Sequence, residues 1–429
     1  MEYIFPLKQH IGAASKAVKQ IGDSVKRGEK IAVKPEGALG ANIFTSVSGT
    51  VIAVEEDKIV IEESLAEDTG YVELTGTSPL ELIEEAGIVG LGGAGFPTSV
   101  KLQTKLSQNG AVIINAAECE PILSHNIARI EKEPEKLLRS LSIILDIVQV
   151  RRGIIALKES HKEAIAKLEA ADTEHRYEIK KLKDLYPMGE ERALIRETMG
   201  VLLPVDALPA AADVIVLNAE TAYRIREAVE EKKPLIDKDM TVAGKLKENA
   251  LIQVLFDVPI GRKVEDVLTM AGGIGKNYGE LIMGGPFTGK RTFQTAPVLK
   301  TTGGIIAAEE FMKAPKKLGI LVCACGAGKE RLEEMAAAMG SEISGVAYCK
   351  QAKNTGSAWK CENPGRCPGQ VEKILQLKKA GAEAVLISNC TDCTNTVMSC
   401  APQLGLTVYH CTDGSLRAVN SKLIRKMHL

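Results

Sequence analysis

The first part of the chain carries short runs of apolar residues separated by turns. Such runs cover residues 30–34, 50–54 and 58–62, and a glycine-containing connector covers residues 21–28. Short apolar runs bounded by Gly, Ser and Asp are typical of strands in small all-β units. We therefore predict a small β-barrel or sandwich over residues 1–76.

Beyond residue 77, apolar positions follow helical spacing in some stretches and form continuous runs in others. Helical spacing covers residues 79–85 and 131–145, and continuous runs cover residues 111–115, 153–157 and 213–217. Helices alternating with buried strands predict a layered α/β domain, which we place at residues 77–235. Short strands and glycine turns predict a small α+β module at residues 236–315, whose end, residues 300–315, we interpret as a linker.

The last segment, residues 316–429, alternates regularly between the two kinds of pattern. Strands are predicted at residues 318–322, 345–348, 384–388 and 407–409, and helices at residues 330–339, 371–379 and 415–426. This order predicts a small α/β sheet domain, and most of its cysteines follow strand ends, where open α/β sheets place their sites. The fold class is therefore a multidomain α/β and β protein with four units.

Charge and composition narrow the function classes. The 54 Lys and Arg residues nearly balance the 55 Asp and Glu residues, which argues against a nucleic-acid partner. The N-terminus lacks the charged start and apolar stretch of a signal peptide. The longest apolar-rich run, residues 141–150, is far short of the ~20 residues that a membrane span needs. We expect a cytoplasmic protein without a membrane span.

The cysteines are unevenly distributed along the chain. Of the ten, Cys119 stands alone and the other nine lie between Cys323 and Cys411. In a reducing compartment, clustered cysteines more often bind metal or perform redox chemistry than form structural disulfides. The last domain is therefore the first candidate for a redox function.

A glycine-rich loop at residues 90–95 matches the G-x-G-x-x-G pattern. The pattern alone is weak, and a predicted helix rather than a strand precedes it, so the ordinary dinucleotide-binding fold is excluded. Four glycines in six residues still permit the close approach of a phosphate or a flat ring. A second loop, residues 284–291, has Arg291 where a phosphate-binding loop needs Ser or Thr, so we predict a tight turn between strands.

Several motifs in a fixed order give the first loop a specific meaning. They are GLGGAGFPTSVK at residues 90–101, INAAECEP at 114–121, YPMGEE at 186–191, NAET at 218–221 and MGGP at 283–286. In this order they resemble the C subunit of the Rnf oxidoreductase and the NADH-binding flavoprotein subunit of complex I. QHIG at residues 9–12 and GDSVKRG at residues 22–28 are similar to the barrel-sandwich domain of that family.

The resemblance implies a domain plan and a set of site residues. It implies a barrel-sandwich hybrid at residues 1–76, a complex I flavoprotein-like FMN domain at 77–235, an SLBB-like β-grasp module at 236–315 and a cysteine-rich redox domain at 316–429. The residues implied around FMN are Gly90, Gly92, Gly93, Gly95, Lys101, Asn115, Glu118, Asn218 and Thr221. Those implied between FMN and NADH are Glu120, Gly189, Glu190 and Glu191. For the last two acids, a solvated helix N-terminus is the simpler alternative.

The chain departs from the Rnf pattern after residue 310. The ferredoxin-type run C-x2-C-x2-C-x3-C does not follow, and the cysteine-rich domain stands in its place. This domain resembles the Rnf-C-like electron-transfer proteins associated with D-proline reductase (the PrdC group). The resemblance implies D-proline reductase as a partner, with the membrane Rnf complex as a second one.

Two cysteine pairs are the main redox candidates. Cys390 and Cys393 form a C-x-x-C pair between a predicted strand and a predicted helix, whose N-terminus favours the Cys390 thiolate. Cys323 and Cys325 follow another strand, with Lys329 nearby. A zinc site built from Cys390, Cys393, His410 and Cys411 has an uncommon spacing, and an iron–sulfur cluster, although open, lacks a familiar ligand run. We favour a thiol–disulfide relay and assign no metal ligands.

The functional hypothesis follows from these expectations. NADH reduces FMN in the α/β domain, electrons pass to the C-terminal cysteines, and D-proline reductase receives them. The alternative is a non-flavin adaptor that links a reductase to the membrane Rnf complex.

Overall fold

The computed structural model describes residues 1–64, 70–247, 251–356 and 358–425, and four sheet-based units follow one another along the chain. The first unit has two small antiparallel sheets, ordered β1-β7-β6-β3 and β2-β4-β5. Alternating side chains such as Tyr3 and Phe5 of β1 and Ile59 and Ile61 of β7 fill its core. The strands are β1 (Glu2–Pro6), β2 (Lys16–Ala17), β3 (Ser24–Val25), β4 (Lys30–Val33), β5 (Ile43–Phe44), β6 (Gly49–Val54) and β7 (Lys58–Glu63).

The second unit is a parallel sheet, ordered β10-β9-β8-β11, with helices packed against it. Its central strands are continuously buried, as expected for parallel strands covered on both faces. The elements are α1 (Pro79–Glu85), α2 (Thr98–Leu102), β8 (Ala111–Asn115), α3 (His125–Lys132), α4 (Pro134–Val148), β9 (Arg152–Lys158), α5 (Lys162–Ala171), β10 (Glu178–Leu182), α6 (Glu191–Met199), β11 (Val214–Asn218) and α7 (Ala219–Glu230).

Local signals explain where two of these helices begin. Helix α1 matches its predicted bounds because Ser78 and Glu81 form a capping box, followed by proline at the first turn. The single helix predicted over residues 131–145 is wrong, since the chain forms α3 and α4. Pro134 cannot donate a helical hydrogen bond, and Glu133 adopts a non-helical backbone (φ −140°, ψ 57°) between them.

The third unit is a mixed sheet, ordered β13-β12-β16-β14-β15. Strand β16 lies at its centre and is completely buried, so the interpretation of residues 300–315 as a linker is wrong. The run Gly-Ile-Ile-Ala is too short to show alternation, which concealed this strand in the sequence. The elements are β12 (Asp237–Gly244), β13 (Ile252–Pro259), α8 (Val264–Met270), β14 (Leu281–Met283), β15 (Lys290–Thr292) and β16 (Gly304–Ala307).

The fourth unit is a parallel sheet, ordered β18-β17-β21-β22, with an added hairpin of β19 and β20. The predicted helix over residues 415–426 is wrong in extent: it ends at Ala418, and Asn420 is left-handed (φ 55°). Residue 426 itself lies outside the described residues. The elements are β17 (Lys317–Val322), α9 (Lys329–Ala338), β18 (Glu342–Tyr348), β19 (Ala352–Asn354), β20 (Trp359–Cys361), α10 (Val371–Lys379), β21 (Ala384–Ile387), α11 (Thr391–Met398), β22 (Thr407–His410) and α12 (Asp413–Ala418).

Buried ion pairs join the second unit to the third. Arg129 of α3 contacts both carboxylate oxygens of Asp239 (2.7 and 2.8 Å), and Arg224 of α7 contacts the same residue at 3.0 Å. Both guanidinium groups also reach Asp257. Burial alone would raise the pKa of Asp239, but Arg224 and Arg129 outweigh it and lower that pKa. Asp239 is therefore the ionised centre of this joint.

A second joint involves the first three units. The fully buried Lys300 donates to the carbonyl oxygens of Asn42 (2.6 Å) and Gly87 (2.7 Å). Its backbone N–H also donates to Gln9 (3.1 Å). These contacts hold the start of the 301–303 segment against the first unit.

None of the helices in the described ranges combines the length and the apolar character needed to cross a bilayer.

Asp239→Asn is expected to destabilise the protein strongly. The substitution removes the buried carboxylate that two buried guanidinium groups share and leaves them the more exposed Asp257, and breaking a buried pair in this way costs about 3–5 kcal/mol. The measurement is the free energy of the first unfolding transition in guanidinium chloride. The control is Glu163→Gln, which removes an exposed pair with Lys167 and is expected to cost less than about 1 kcal/mol. Equal losses for the two variants would contradict this account.

Candidate functional site

A cavity of about 690 Å³ lies between the second and third units. Its walls are formed by the glycine loop, the turn after β8, the turn between β14 and β15, and residues 301–303, together with Gly189 and Asn218. Polar and glycine residues dominate this lining, among them Gly92, Gly93, Asn115, Glu118, Cys119, Glu120, His125, Gly189, Asn218 and Gly285.

Backbone hydrogen bonds anchor the glycine loop on one side, and its other side faces open space. The Gly90 N–H donates to the Phe96 carbonyl (2.9 Å), and the Leu91 N–H donates to the Thr221 hydroxyl (3.1 Å). A Cβ on Gly92 would lie 2.5 Å from the amide nitrogen of Asn218, whereas one on Gly93 would meet no atom within 4 Å. Gly92 is therefore required by close packing, and Gly93 faces open space.

The turn after β8 brings acidic side chains to the cavity through a strained backbone. Glu118 (φ 40°) and Ile122 (φ 76°) are both left-handed, which is unfavourable for a β-branched residue. Ile122 packs against Ile282 and Ile306 of the third unit, so tertiary packing stabilises the turn. Asn115, at the end of β8, donates to the Gly189 carbonyl (2.8 Å) and fixes that part of the cavity wall.

Glu118 and His125 form a buried pair at the cavity. Glu118 accepts from the Ile127 N–H (3.1 Å), and its Oε1 lies 3.2 Å from Nδ1 of His125. Burial lowers the pKa of His125, with Glu118 opposing the effect. The sequence around His125 predicts a surface residue at a helix start. His125 does begin α3, but the surface prediction is wrong because the side chain is buried.

Glu120 connects the cavity wall to the third unit. It accepts from the N–H groups of Phe287 (2.8 Å) and Thr288 (3.0 Å) and from the Thr288 hydroxyl (2.6 Å). Burial raises the pKa of Glu120. A Cβ on Gly285 would lie 2.4 Å from its carboxyl carbon. Residues 284–291 do form the predicted tight turn between strands, and this turn also lines the cavity.

The structure separates the predicted cofactor residues into those that line the cavity and those that do not. Three of the residues outside the lining have other contacts: Lys101 donates to the Val216 carbonyl (2.9 Å) and pairs with Glu191 (3.3 Å), while Glu190 caps α6 through the N–H groups at its start. Burial raises the pKa of Glu190. Seven predicted residues come together on the cavity: Gly92, Gly93, Asn115, Glu118, Glu120, Gly189 and Asn218. The other six do not belong to its lining: Gly90, Gly95, Lys101, Glu190, Glu191 and Thr221.

Tyr186 connects the cavity region to the fourth unit. Its ring stacks on that of Phe287 (centroids 3.6 Å apart, 2° between planes), which in turn meets the edge of His410. The Tyr186 hydroxyl donates to the carbonyl of Cys325, and the Tyr186 N–H donates to the Thr391 hydroxyl (3.1 Å). Three residues further along, Gly189 is part of the cavity wall.

Helix α6 extends this contact with the fourth unit. Arg192 donates to the carbonyl oxygens of Cys361 and Glu362, the latter at 2.8 Å. Arg196 donates to the Asn363 side chain (2.6 Å) and to the Pro364 carbonyl (2.8 Å). The loop after β20 is therefore fixed by guanidinium groups of the second unit.

Seven cysteine side chains of the fourth unit lie together in one largely buried cluster and influence one another's pKa. Cys323 and Cys393 lower the pKa of Cys349, and Cys323 raises that of Cys325. We call the set the thiol network; its members are Cys323, Cys325, Cys349, Cys361, Cys367, Cys390 and Cys393. It contains all four predicted redox cysteines and three that the sequence did not group with them, because the three lie in other segments: after β18 (Cys349), at the end of β20 (Cys361) and before α10 (Cys367).

The local setting of the predicted pairs is partly as expected. Cys390 and Cys393 lie between β21 and α11, with Cys390 at the N-cap position, and both are buried. Lys329 pairs with Glu333 (3.3 Å). All ten cysteines, each within the described residues, are free thiols.

The hydrogen bonds of His410 argue against the alternative zinc site built from Cys390, Cys393, His410 and Cys411. Nδ1 of His410 is hydrogen-bonded to the Thr412 hydroxyl (2.9 Å) and Nε2 to the Asn389 carbonyl (2.8 Å), so both ring nitrogens are engaged. Across the described ranges, no three His, Cys, Asp or Glu side chains are arranged to hold a metal ion.

Comparisons with known proteins agree with this arrangement. Residues 83–227 match the family model of the Nuo51 FMN-binding domain, and residues 1–72 match that of the RnfC barrel sandwich hybrid domain. The chain is 37% identical, over 53% of its length, to 49% of the cobalamin reductase PduS of Citrobacter freundii.

Two relatives cover more of the chain. It is 35% identical, over 71% of its length, to 72% of the C subunit of the Na(+)-translocating ferredoxin:NAD(+) oxidoreductase complex of Acetobacterium woodii. It is 32% identical, over 70% of its length, to 69% of the C subunit of the proton-translocating ferredoxin:NAD(+) oxidoreductase complex of Clostridium ljungdahlii. The predicted resemblance is thereby confirmed at the level of the family: the chain belongs to the C subunits of ion-translocating ferredoxin:NAD(+) oxidoreductase complexes, the Rnf C family.

Proposed function

We propose that this protein binds FMN in the cavity, accepts reducing equivalents from NADH there, and passes them to the thiol network. The observation that carries the proposal is the wall shared by the two sites. Gly189 lines the cavity, while Tyr186 and Arg192, on either side of it, hydrogen-bond to the backbone of Cys325 and Cys361. One short segment therefore contacts both the cavity and the network.

The residues present fit an FMN molecule. A volume of about 690 Å³ falls within the range of about 300–1,000 Å³ that is usual for cofactor pockets. The exposed backbone at Gly92 and Gly93 permits close approach of a flat ring, and free amides in such loops bind phosphate. Bound FMN would supply hydride acceptance from a dinucleotide, followed by onward electron transfer, chemistry that no side chain provides.

The chain's own residues orient the ligand and shape its surroundings. Asn115 and Asn218 are register partners at the ends of the neighbouring strands β8 and β11, and the amide side chain of each is anchored by a backbone hydrogen bond. Glu118 and His125 place a polar, almost fully buried pair beneath the cavity. The stacked Tyr186 and Phe287 rings fill the space between the cavity and the thiols and exclude water from it.

For the partner, we propose D-proline reductase. The support is the resemblance of the cysteine-rich domain to the electron-transfer proteins associated with that enzyme, and the thiol network is suited to transfer between proteins. We further propose that the third unit is an SLBB-like β-grasp module. The alternative partner is a membrane Rnf-type complex, which the 35% identical relative from Acetobacterium woodii favours, because that protein is a subunit of such a complex.

NADH is expected to bleach the flavin absorbance of the anaerobic, FMN-loaded protein and to release thiols in a previously oxidised sample. The measurement is a visible titration combined with thiol counting. A protein that takes up no FMN, or whose flavin is not reduced by NADH, would contradict the proposal and favour the non-flavin adaptor.

Gly92→Val is expected to abolish FMN binding. The new side chain would start 2.5 Å from the Asn218 amide, so the loop must move and the cavity changes shape. The measurement is the flavin content after reconstitution, expressed per chain. Gly328→Ala is the matched control, since a Cβ there makes only an ordinary contact at 3.6 Å outside the cavity. Equal flavin content in the two variants would place FMN elsewhere.

Tyr186→Leu is expected to leave flavin reduction by NADH unchanged but to slow reduction of the thiol network. Loss of the stacked ring loosens the contact between the two sites, and a displacement of about 1 Å between reacting groups can cost on the order of 100-fold in rate. The measurement is stopped-flow bleaching alongside timed thiol trapping. Tyr186→Phe retains the stacking and serves as the control. A Tyr186→Leu variant with a normal rate of thiol appearance would show that this wall is not the route.

A further inference from the structure

One buried amide side chain organises the outer part of the thiol network. Gln370 has no exposed surface, and its Nε2 lies 3.1 Å from the sulfur of Cys349 and 3.6 Å from those of Cys367 and Cys393. Its Oε1 is buried and has no hydrogen-bond partner in the described part of the chain. The amide nitrogen thus donates toward three sulfurs, while the amide oxygen has no donor. Such an arrangement favours the negatively charged thiolate form of those sulfurs.

Cys367 differs from the other members of the network in exposure. It is partly exposed, whereas the other six are at most 9% exposed. It lies in the loop between β20 and α10, and its N–H donates to the Asp392 carboxylate of α11 (2.6 Å). The Cys367 thiol is therefore accessible from the solvent, while the hydrogen bond to Asp392 fixes the position of its backbone.

Several donors converge on the Cys367 sulfur. The Cys393 thiol has the largest effect in lowering the pKa of Cys367 to about 6, against the opposing effect of burial. The Gly369 N–H donates to the Cys367 sulfur (3.3 Å) and also lowers this pKa, and the Thr396 hydroxyl, which donates to the Cys393 carbonyl, lies 3.0 Å from the same sulfur. At neutral pH this sulfur is thus largely a thiolate, the nucleophilic form of cysteine.

We infer that Cys367 is the thiol through which this protein exchanges disulfides with a partner protein, and that Cys393 is its resolving thiol. The inference deepens the proposed function by naming the point of exit. It depends on that function only for the reductant that restores the pair.

The exchange balances in two steps. The Cys367 thiolate attacks one sulfur of the partner's disulfide, forming a mixed disulfide and releasing the partner's other sulfur as a thiolate. The Cys393 sulfur then attacks Cys367, and its proton goes to the departing partner thiolate. The partner disulfide gains two electrons, and Cys367 and Cys393 lose two as they form a disulfide.

The test uses the full-length protein, reduced with a phosphine and then exposed to oxidised glutathione without NADH. In Cys393→Ser, glutathione is expected to remain bound at Cys367, because the resolving thiol is missing. In the unsubstituted protein, a disulfide between Cys367 and Cys393 is expected instead. Alkylation of the remaining thiols followed by peptide mass spectrometry locates each product.

Cys400→Ser is the matched control, since the Cys400 sulfur donates to carbonyl oxygens of the preceding helix α11 (Thr396 and Val397, 3.4 Å each). This variant should form the Cys367–Cys393 disulfide normally. Alkylation of Cys367 at varied pH adds a second readout, with a midpoint expected at about 6. Near-native circular dichroism is required of every variant that is scored.

Three outcomes would overturn the inference: glutathione at another cysteine in Cys393→Ser, a different disulfide in the unsubstituted protein, or iron bound by these thiols. Because the assay uses neither NADH nor flavin, it separates the two proposals. Failure of NADH to reduce the flavin would refute the proposed function and leave this result intact.

Discussion

The stretch from Tyr186 to Arg196 contacts both the cavity and the fourth unit, and the arrangement of the redox groups depends on these simultaneous contacts. Gly189 accepts from Asn115 at the cavity, while Tyr186, Arg192 and Arg196 hydrogen-bond to six separate backbone or side-chain groups of the fourth unit. These partners lie after β17 (Cys325), at the start of α11 (Thr391) and from the end of β20 onward (residues 361–364). Fixing them all from one short segment and one helix sets the separation of cavity and thiols.

Polar contacts between units likewise hold the third unit, which completes the cavity. Its turn is bonded to Glu120, and its strand β12 supplies the Asp239 that two guanidinium groups share. Buried ion pairs add little net stability, because desolvation offsets most of their attraction, but they penalise any arrangement that separates them. They therefore serve here to fix one orientation of the units, which a cavity built from both of them requires.

The sequence was informative wherever the chemistry was local. The capping box at Ser78 fixed the start of α1, and the ordered motifs identified the family and seven residues that meet at the cavity. Prediction from the sequence failed where tertiary contacts determine the structure. Strand β16 is too short to show a pattern, and Lys101 belongs to a matched motif although its ammonium is held by the Val216 carbonyl. Cys349, Cys361 and Cys367 were not grouped with the predicted pairs because the segments that carry them are separate in sequence and are brought together by the tertiary fold.

The thiol network has a physical property that no member has alone. Seven neighbouring sulfurs cannot all ionise, because like charges at such short distances repel strongly. Protons are accordingly shared: the pKa of Cys349 is lowered to about 3 by donors that include Cys323 and Cys393, and that of Cys393 is raised. Oxidation of any pair removes a donor from its neighbours and so shifts where the remaining charge lies. A change at the exposed Cys367 is therefore felt by Cys349 through Cys393, which couples the surface of the domain to its buried thiols.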